Sequence, residues 1–513
     1  VTLRRWRPGR DPRAVRHPAQ PPRTDAVAPA DDAPRHVVVV GGGIAGLAAA
    51  CVLAERDVRV TLVEKEDTLG GRVRSWPLPP LAPGETVPRT MSRGFHAFFR
   101  QYYTLRSLLR RADPALGALT PVGDYPLQLA GGHRDSFAQI PATPPWSVLG
   151  FVLQSPSFTL PGLARVDVAR ALDLLRVDFP RTFMDLDGVS ASEVLDRLRF
   201  PEGARHLALE VFARSFFASP DDFSGGELVG MFHSYFLGSA EGLLFDVPVG
   251  DYDRVLWAPL GRYLEQRGVA VRHGCTVTGI EDAGEEVVVG TDAGELVADA
   301  VVLATDLRPL QQLVADAGWL GDEAWRERIT SRRSAPPFAV WRMWLDRPAR
   351  PDAPAFLGTS GFPGGLDNVT MVHRFEAEAR AWADAADGSV VELHAYAVGA
   401  RGGSTDEPTL RRELRASLSR LHPELDGARV LAEELLLRDD CPLVDTGPWL
   451  ERPEVETPDR RVVLAGDGIR CDLPVALMER AAVTGTQAAN ALLARWGVRG
   501  EDVWSVPTRG LLA

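Results

Sequence analysis

Residues 36–75, "HVVVVGGGIAGLAAACVLAERDVRVTLVEKEDTLGGRVRS", read as strand, glycine turn, helix and second strand. Val37 to Val40 are four β-branched residues with no polar alternation, as a strand buried on both faces requires. Ile44 to about Glu55 then has helical character. Gly41, Gly43 and Gly46 stand between them in G-x-G-x-x-G spacing, which allows a tight turn, the close approach of a pyrophosphate and close packing of helix on strand. The helix start, through Ala45, turns its free N–H groups toward the phosphates. Val58 to Val63 form the next strand. It ends in Glu64, 18 residues after Gly46, where a carboxylate accepts both hydroxyls of an unphosphorylated ribose. Lys65 follows at the adenine end and is the only lysine of the chain. These residues predict an α/β chain opening on a Rossmann-type adenine dinucleotide site.

Composition limits the rest. The 513 residues suffice for two or three domains, and 45% hydrophobic content suits a packed globular chain. A net charge of -12 argues against a nucleic-acid partner, which calls for a basic surface. Cys51, Cys275, Cys441 and Cys471 have neither C-x-x-C nor zinc-like spacing, so no metal site is expected and a reducing, cytoplasmic setting is. No apolar run reaches the roughly 20 residues a bilayer span needs, and none follows the N-terminal arginines as a secretion signal would. Residues 1–34, rich in Arg, Pro, Ala and Asp, are expected to be a disordered arm.

Three further stretches carry a resemblance. "LGGRVRS", Leu69 to Ser75, resembles the G-G-R segment of the flavin amine oxidase superfamily, which implies that Gly71 and Arg72 lie near the cofactor phosphates. "RRVVLAGDGIRCDLPVALMERAAVTGTQAANALL", residues 460–493, resembles that superfamily's closing motif. Gly466 and Asp467 would bind the chain linking flavin to phosphate, and the last helix would point its N-terminus, by Met478, at the flavin. "GCTVTGIEDAGEEVVVGTDAGELVADAVVLATD", residues 274–306, resembles the family's strand meander, with the backbone of Val277 at the adenine. The resemblance thus implies FAD. It also implies a flavin domain built from residues 35–124, 250–307 and 439–513, interleaved with an α+β substrate domain of residues 125–249 and 308–438. In the latter, "FAVWRMWL" and "SVVELHAYAV" read as strands, and Leu410, Leu414, Leu418 and Leu421 make one helical stripe.

"SRGFHAFFRQYY", residues 92–103, places five aromatic rings and a histidine in twelve residues. It resembles the G-x-H-x-F-F-x-x-Y segment of the carotenoid desaturases, with Gly94, His96, Phe98, Phe99 and Tyr102 on the matching positions. Its wording is similar to the branch that turns β-ionone rings aromatic, the β-carotene desaturase/methyltransferases that make isorenieratene. That resemblance implies FAD-dependent ring desaturation with 1,2-methyl migration, a hydrophobic carotenoid substrate, and a quinone or oxygen as electron acceptor. Desaturation of an acyclic carotene and flavin-dependent isomerisation are the alternatives. The rings are expected to wall a polyene slot. His96 is either catalytic beside the flavin or a structural histidine orienting that loop. One departure stands out: where the family has S-M-E-G-A, this chain has "LMERA", with Arg480 for glycine.

The segment from Thr143, broken by Pro145, Pro156 and Pro161, has two readings. It is a cavity wall, or a peripheral, monotopic membrane patch with Trp146, Phe151, Phe158 and Leu160 in the interface and Arg165, Arg170 and Arg176 at headgroups.

Overall fold

Four consecutive valines have no polar face to offer water, and the fold buries them at the middle of a sheet. The computed structural model describes residues 11–20, 34–80, 87–138, 140–141, 144, 146–208, 216–400 and 404–513. In it the strand His36–Val40 pairs in parallel with Arg59–Val63 on one side and Ala300–Leu303 on the other. Ala270–Arg272 and Val462–Leu464 extend the sheet to five parallel strands. The helix Ile44–Ala54 is buried along its whole length, packed between this sheet and the final helix Leu477–Arg495. Glycine makes the contact close: a Cβ on Gly485 would stand 2.1 Å from the Ala45 carbonyl oxygen. The meander Val277–Ala283, Glu286–Thr291 and Gly294–Ala298 turns at the two Asp-Ala-Gly sites.

The interleaved segments meet in a second sheet of seven strands. Phe338–Leu345 lies between Val430–Arg438 and Ser389–Ala395, and Leu366–Met371 and Phe356–Ser360 follow. Leu127–Leu129 then joins in parallel, so residues from both substrate segments share one sheet. The helix Glu407–Leu421 covers it with Leu410, Leu414 and Leu418 buried. One strand, Phe245–Pro248, crosses the expected partition: it pairs with Phe98–Phe99 and Leu119–Pro121 of the flavin segment.

The expected disordered arm needs correction where it is described. Val15–His17 forms an antiparallel strand with Val503–Ser505. Asp11 is buried and accepts from Tyr103 Oη at 2.8 Å and Ser239 Oγ at 2.5 Å. Those partners lie far off in sequence, which is why no local periodicity announced them. Residues 1–10 and 21–33 of the arm, and Thr143 and Pro145, lie outside the described residues.

Candidate functional site

A cavity of about 590 Å³ runs from the glycine turn into the space beneath the seven-stranded sheet. Its first part is backbone. Gly41 has φ +104°, and a Cβ there would stand 2.5 Å from the Ala304 carbonyl oxygen. A Cβ on Gly46 would lie 1.9 Å from the Gly41 carbonyl oxygen, so Gly46 serves the packing of turn on helix and does not itself line the cavity. Gly71, at φ +56°, packs on Gly43: a Cβ there would stand 3.0 Å from Gly43 Cα, and both glycines line the cavity. No side chain caps the helix that starts at Ile44, which leaves its N-terminal N–H groups for a phosphate. Glu64 is held from behind: Oε2 accepts from Gly42 N at 2.7 Å and Oε1 from Glu66 N at 2.9 Å. Burial raises its pKa, more than those backbone donors lower it. Lys65 and Val277 line the same end.

Arg72 spans the middle. Its Nε donates to Asp306 Oδ1 at 3.1 Å and its Nη2 to Asp467, which ties together three separated segments of the chain. Burial alone would lower the pKa of Arg72, but Asp467 and Asp306 raise it, so the guanidinium stays charged. Gly466, with φ +150°, Asp467 and Met478 complete this part of the wall. The glycine cradle, the uncapped helix start and the buried Glu64 carboxylate fit FAD.

Beyond this region the lining turns aromatic. Phe95 is tilted against Phe356 at 4.6 Å, and Phe99 is edge-on to Tyr235 at the same separation. Tyr102 meets Tyr235 through hydroxyls 2.8 Å apart. Of the five rings in residues 92–103, only Phe95, Phe99 and Tyr102 reach the cavity. Phe98 and Tyr103 are fully buried in the core, which corrects the expectation that the whole stretch walls the slot. Strand alternation explains the first: Phe98 and Phe99 are neighbours on a strand and point to opposite faces. The remaining rings of the wall, among them Tyr125, Phe217 and Phe245, come from segments the sequence reading did not connect with it.

His96 lines the cavity, and its Nδ1 donates to the Gly94 carbonyl at 2.8 Å. Burial pushes its pKa down to about 4, so the ring is neutral with Nε2 unprotonated. Gly94 is not in the lining. It holds φ +111°, and a Cβ there would press within 2.6 Å of His394 Cε1. His394 belongs to a polar group the sequence reading missed. Glu392 and His394, alternate residues of one strand, and Tyr396 just past its end form a hydrogen-bonded line. His394 Nε2 lies 2.7 Å from Glu392 Oε1 and His394 Nδ1 lies 2.8 Å from Tyr396 Oη. Arg342 of the neighbouring strand donates from Nε to Glu392 Oε2 at 2.8 Å. Burial would raise the Glu392 pKa, but Arg342 and His394 outweigh it and hold it at about 2. The signal was present in "SVVELHAYAV": Glu, His and Tyr at every second position of an apolar strand.

All four cysteines are free and buried, and among the described residues no cluster of His, Cys, Asp and Glu could hold a metal. No helix among them is long and apolar enough to cross a membrane. Of the proposed membrane residues, Trp146 and Leu160 are 60% and 83% exposed. Phe151 is instead buried and stacked on Phe137 at 4.9 Å, so it belongs to the core. Phe158 is partly buried, packed edge-on against Phe200.

Comparison with known proteins agrees with this geometry. The chain is 53% identical over 505 residues to a carotenoid phi-ring synthase of Streptomyces griseus, covering 98% of this chain and 96% of that one. It is 27% identical to a carotenoid phi-ring synthase of Chlorobaculum tepidum, covering 94% and 92%. Wild-type putrescine oxidase bound to putrescine shares the fold, with a TM-score of 0.64 at 17% identity over 90% of this chain and 100% of that one. Residues 44–493 match the family described as flavin containing amine oxidoreductase; the chain belongs to that family, and its cofactor is FAD.

Proposed function

We propose that this protein oxidises the β-ionone rings of β-carotene to aromatic rings, with one ring methyl moving to the adjacent carbon. The observation that carries this reading is the continuity of the cavity, from the glycine cradle to an aromatic slot lined by Phe95, Phe99, Tyr102 and Phe245. The 53% identical relative, by name a carotenoid phi-ring synthase, supports a carotenoid ring as the reacting group. FAD in this site supplies a two-electron oxidation by taking a hydride. The chain's own residues do the rest. The aromatic faces stabilise a cation delocalised into the polyene, and the apolar slot keeps water from trapping it. A cation formed beside the gem-dimethyl carbon finds no proton on that neighbour, so a methyl shifts instead. Loss of a proton then closes the arene.

The substrate dissolves in lipid, and one face of the protein suits a lipid surface. Trp146, Leu149, Leu153, Leu160, Val168 and Leu172 are exposed within one stretch, with Arg165, Arg170 and Arg176 exposed beside them. We infer peripheral membrane contact through this face.

The test is incubation with β-carotene in detergent, with a quinone or oxygen as acceptor, and product analysis by mass and NMR. Loss of four hydrogens per ring with every carbon kept supports the reading. Untouched β-carotene, with hydrogens lost only from an acyclic carotene, assigns chain desaturation instead; unchanged mass assigns isomerisation.

A further inference from the structure

Ring aromatisation releases two protons per ring besides two hydrides, and something must accept them. His96 is poorly suited. Its Nδ1 proton is committed to the Gly94 carbonyl, and burial disfavours the charged form of its ring.

We propose that Tyr396, His394 and Glu392 form a proton relay in which the Tyr396 oxygen takes the ring protons during aromatisation. The proposal rests on the ring-oxidation reading above. Tyr396, His394 and Asn368 all line the cavity that holds the aromatic slot. The direction of each hydrogen bond is fixed by its neighbours. Glu392 is ionised, because Arg342 lies 2.8 Å from Oε2 and Phe95 N donates to Oε1 at 2.9 Å. A carboxylate only accepts, so His394 Nε2 carries the hydrogen, and Phe95 N, 3.3 Å from Nε2, makes its shorter bond to Glu392; in the neutral imidazole that the relay requires, Nδ1 accepts from the Tyr396 hydroxyl. Asn368 Nδ2 donates to the Tyr396 oxygen at 3.1 Å, while its own carbonyl accepts from Thr370 Oγ1 at 3.3 Å. The Tyr396 oxygen is therefore set to develop negative charge, with a donor on one side and a base on the other.

The step balances. Hydride departure to FAD leaves a ring cation. A neighbouring ring C–H bond breaks, its electron pair forms the new C=C bond, and its proton goes to Tyr396 Oη as the tyrosine's own proton passes to His394 Nδ1. The resulting imidazolium lies against the Glu392 carboxylate. Release of that proton to water after each of the two hydride transfers restores the relay for the next.

The surroundings suit this task. Arg342, 2% exposed, also donates to Ser92 Oγ at 3.0 Å, Thr90 O at 3.0 Å and Glu376 Oε2 at 3.2 Å, which locks Glu392 in place. Asp367 accepts from Tyr396 N at 2.5 Å and holds the backbone there. Gly94 is pressed against His394, so its lack of a side chain lets the imidazole reach this position. Tyr396 is the group that would touch substrate; His394, Glu392 and Arg342 act through it as positioning residues.

The experiment compares the FAD-loaded wild type with Tyr396→Phe and His394→Gln, anaerobically for the first hydride transfer and then with a quinone as acceptor for full turnover to the aromatic ring. The substrates are β-carotene and β-carotene deuterated at the ring methylene next to the allylic one. In Tyr396→Phe the flavin spectrum is retained and flavin bleaching persists. Oxidised-ring product forms about 100-fold more slowly, with an enlarged deuterium isotope effect on its appearance. Nitrogen NMR of histidine-labelled resting enzyme gives a readout independent of turnover: His394 shows the Nε2–H tautomer, and Glu392→Gln disturbs it. Wild type that leaves β-carotene untouched overturns the ring-oxidation reading and the relay with it. Wild type that aromatises the rings, beside Tyr396→Phe with unchanged product rate and isotope effect, overturns the relay alone. An Nδ1–H tautomer at His394 overturns it as well.

Discussion

Arg480 Nη2 donates to Glu227 Oε2 at 2.7 Å, across 253 residues of sequence. The other carboxylate oxygen of Glu227 accepts from Arg452 Nη1 at 2.9 Å, so one buried acid holds two buried arginines. This pairing gives Arg480, which stands where the family pattern has glycine, its place in the fold. Arg480 is absent from the lining of the large cavity and turns toward Glu227 and the Val475 carbonyl, leaving Met478 and Ala481 to face that cavity.

Removing Glu227 strands both guanidinium groups in the core. Glu227→Ala is expected to lower stability by about 3–5 kcal/mol, since an uncompensated buried charge costs far more than the pair contributes. Arg480→Met, which removes the charge on one side, should cost less. Urea denaturation of the two variants, followed by tryptophan fluorescence, checks the order; equal losses would show that Glu227 is not the shared partner.

Glu64 holds the turn behind the cavity, and the ribose role expected for it is testable. Glu64→Ala removes the acceptor for Gly42 N and Glu66 N as well as the ribose partner. FAD affinity should fall by roughly 10- to 100-fold, the equivalent of one or two charge-assisted hydrogen bonds. Titration of apoprotein by flavin fluorescence quenching measures it, and affinity within about twofold of wild type would contradict the assignment.

The exposed face between Trp146 and Leu172 gives a paired prediction. Replacing Trp146, Leu149 and Leu153 by Ser should reduce co-sedimentation with liposomes while the flavin spectrum stays intact, because all three side chains are exposed. Phe151→Ser acts on stability instead, by about 3–5 kcal/mol, since its ring is buried against Phe137. Liposome binding unchanged by the triple substitution would remove this face as the membrane contact.

His233 makes the fold sensitive to acid. It is 1% exposed, its Nε2 donates to the Pro507 carbonyl at 2.7 Å, and burial pushes its pKa down to about 4. The unfolded histidine takes up a proton near its ordinary value of 6.5, so the unfolded state binds more protons between there and 4. The contribution is present in full above 6.5 and is lost as pH falls through 4, with about 2 kcal/mol gone by pH 5. Denaturation midpoints at pH 7.5 and 5 should separate for wild type and draw together for His233→Gln, which keeps an N–H for Pro507.

The parts legible before folding are those whose signal is local. The valine strand, the glycine spacing and Glu64 lie within 28 residues, and their order fixes a strand–turn–helix with an acid at the second strand's end. The leucine stripe of Glu407–Leu421 and the Asp-Ala-Gly turns of the meander were legible for the same reason: period and turn chemistry are properties of neighbours. The rest depends on residues distant in sequence. Phe98 and Tyr103 look no different in composition from Phe99 and Tyr102, and which ring faces the cavity follows from strand alternation together with what packs behind it. "SVVELHAYAV" showed a strand, but the ionised state of Glu392, and hence the tautomer of His394, comes from Arg342 on the next strand. Asp11 and Val15–His17 carry no periodic pattern at all, and are ordered because Tyr103, Ser239 and Val503–Ser505 supply hydrogen-bond partners that only the completed fold brings to them.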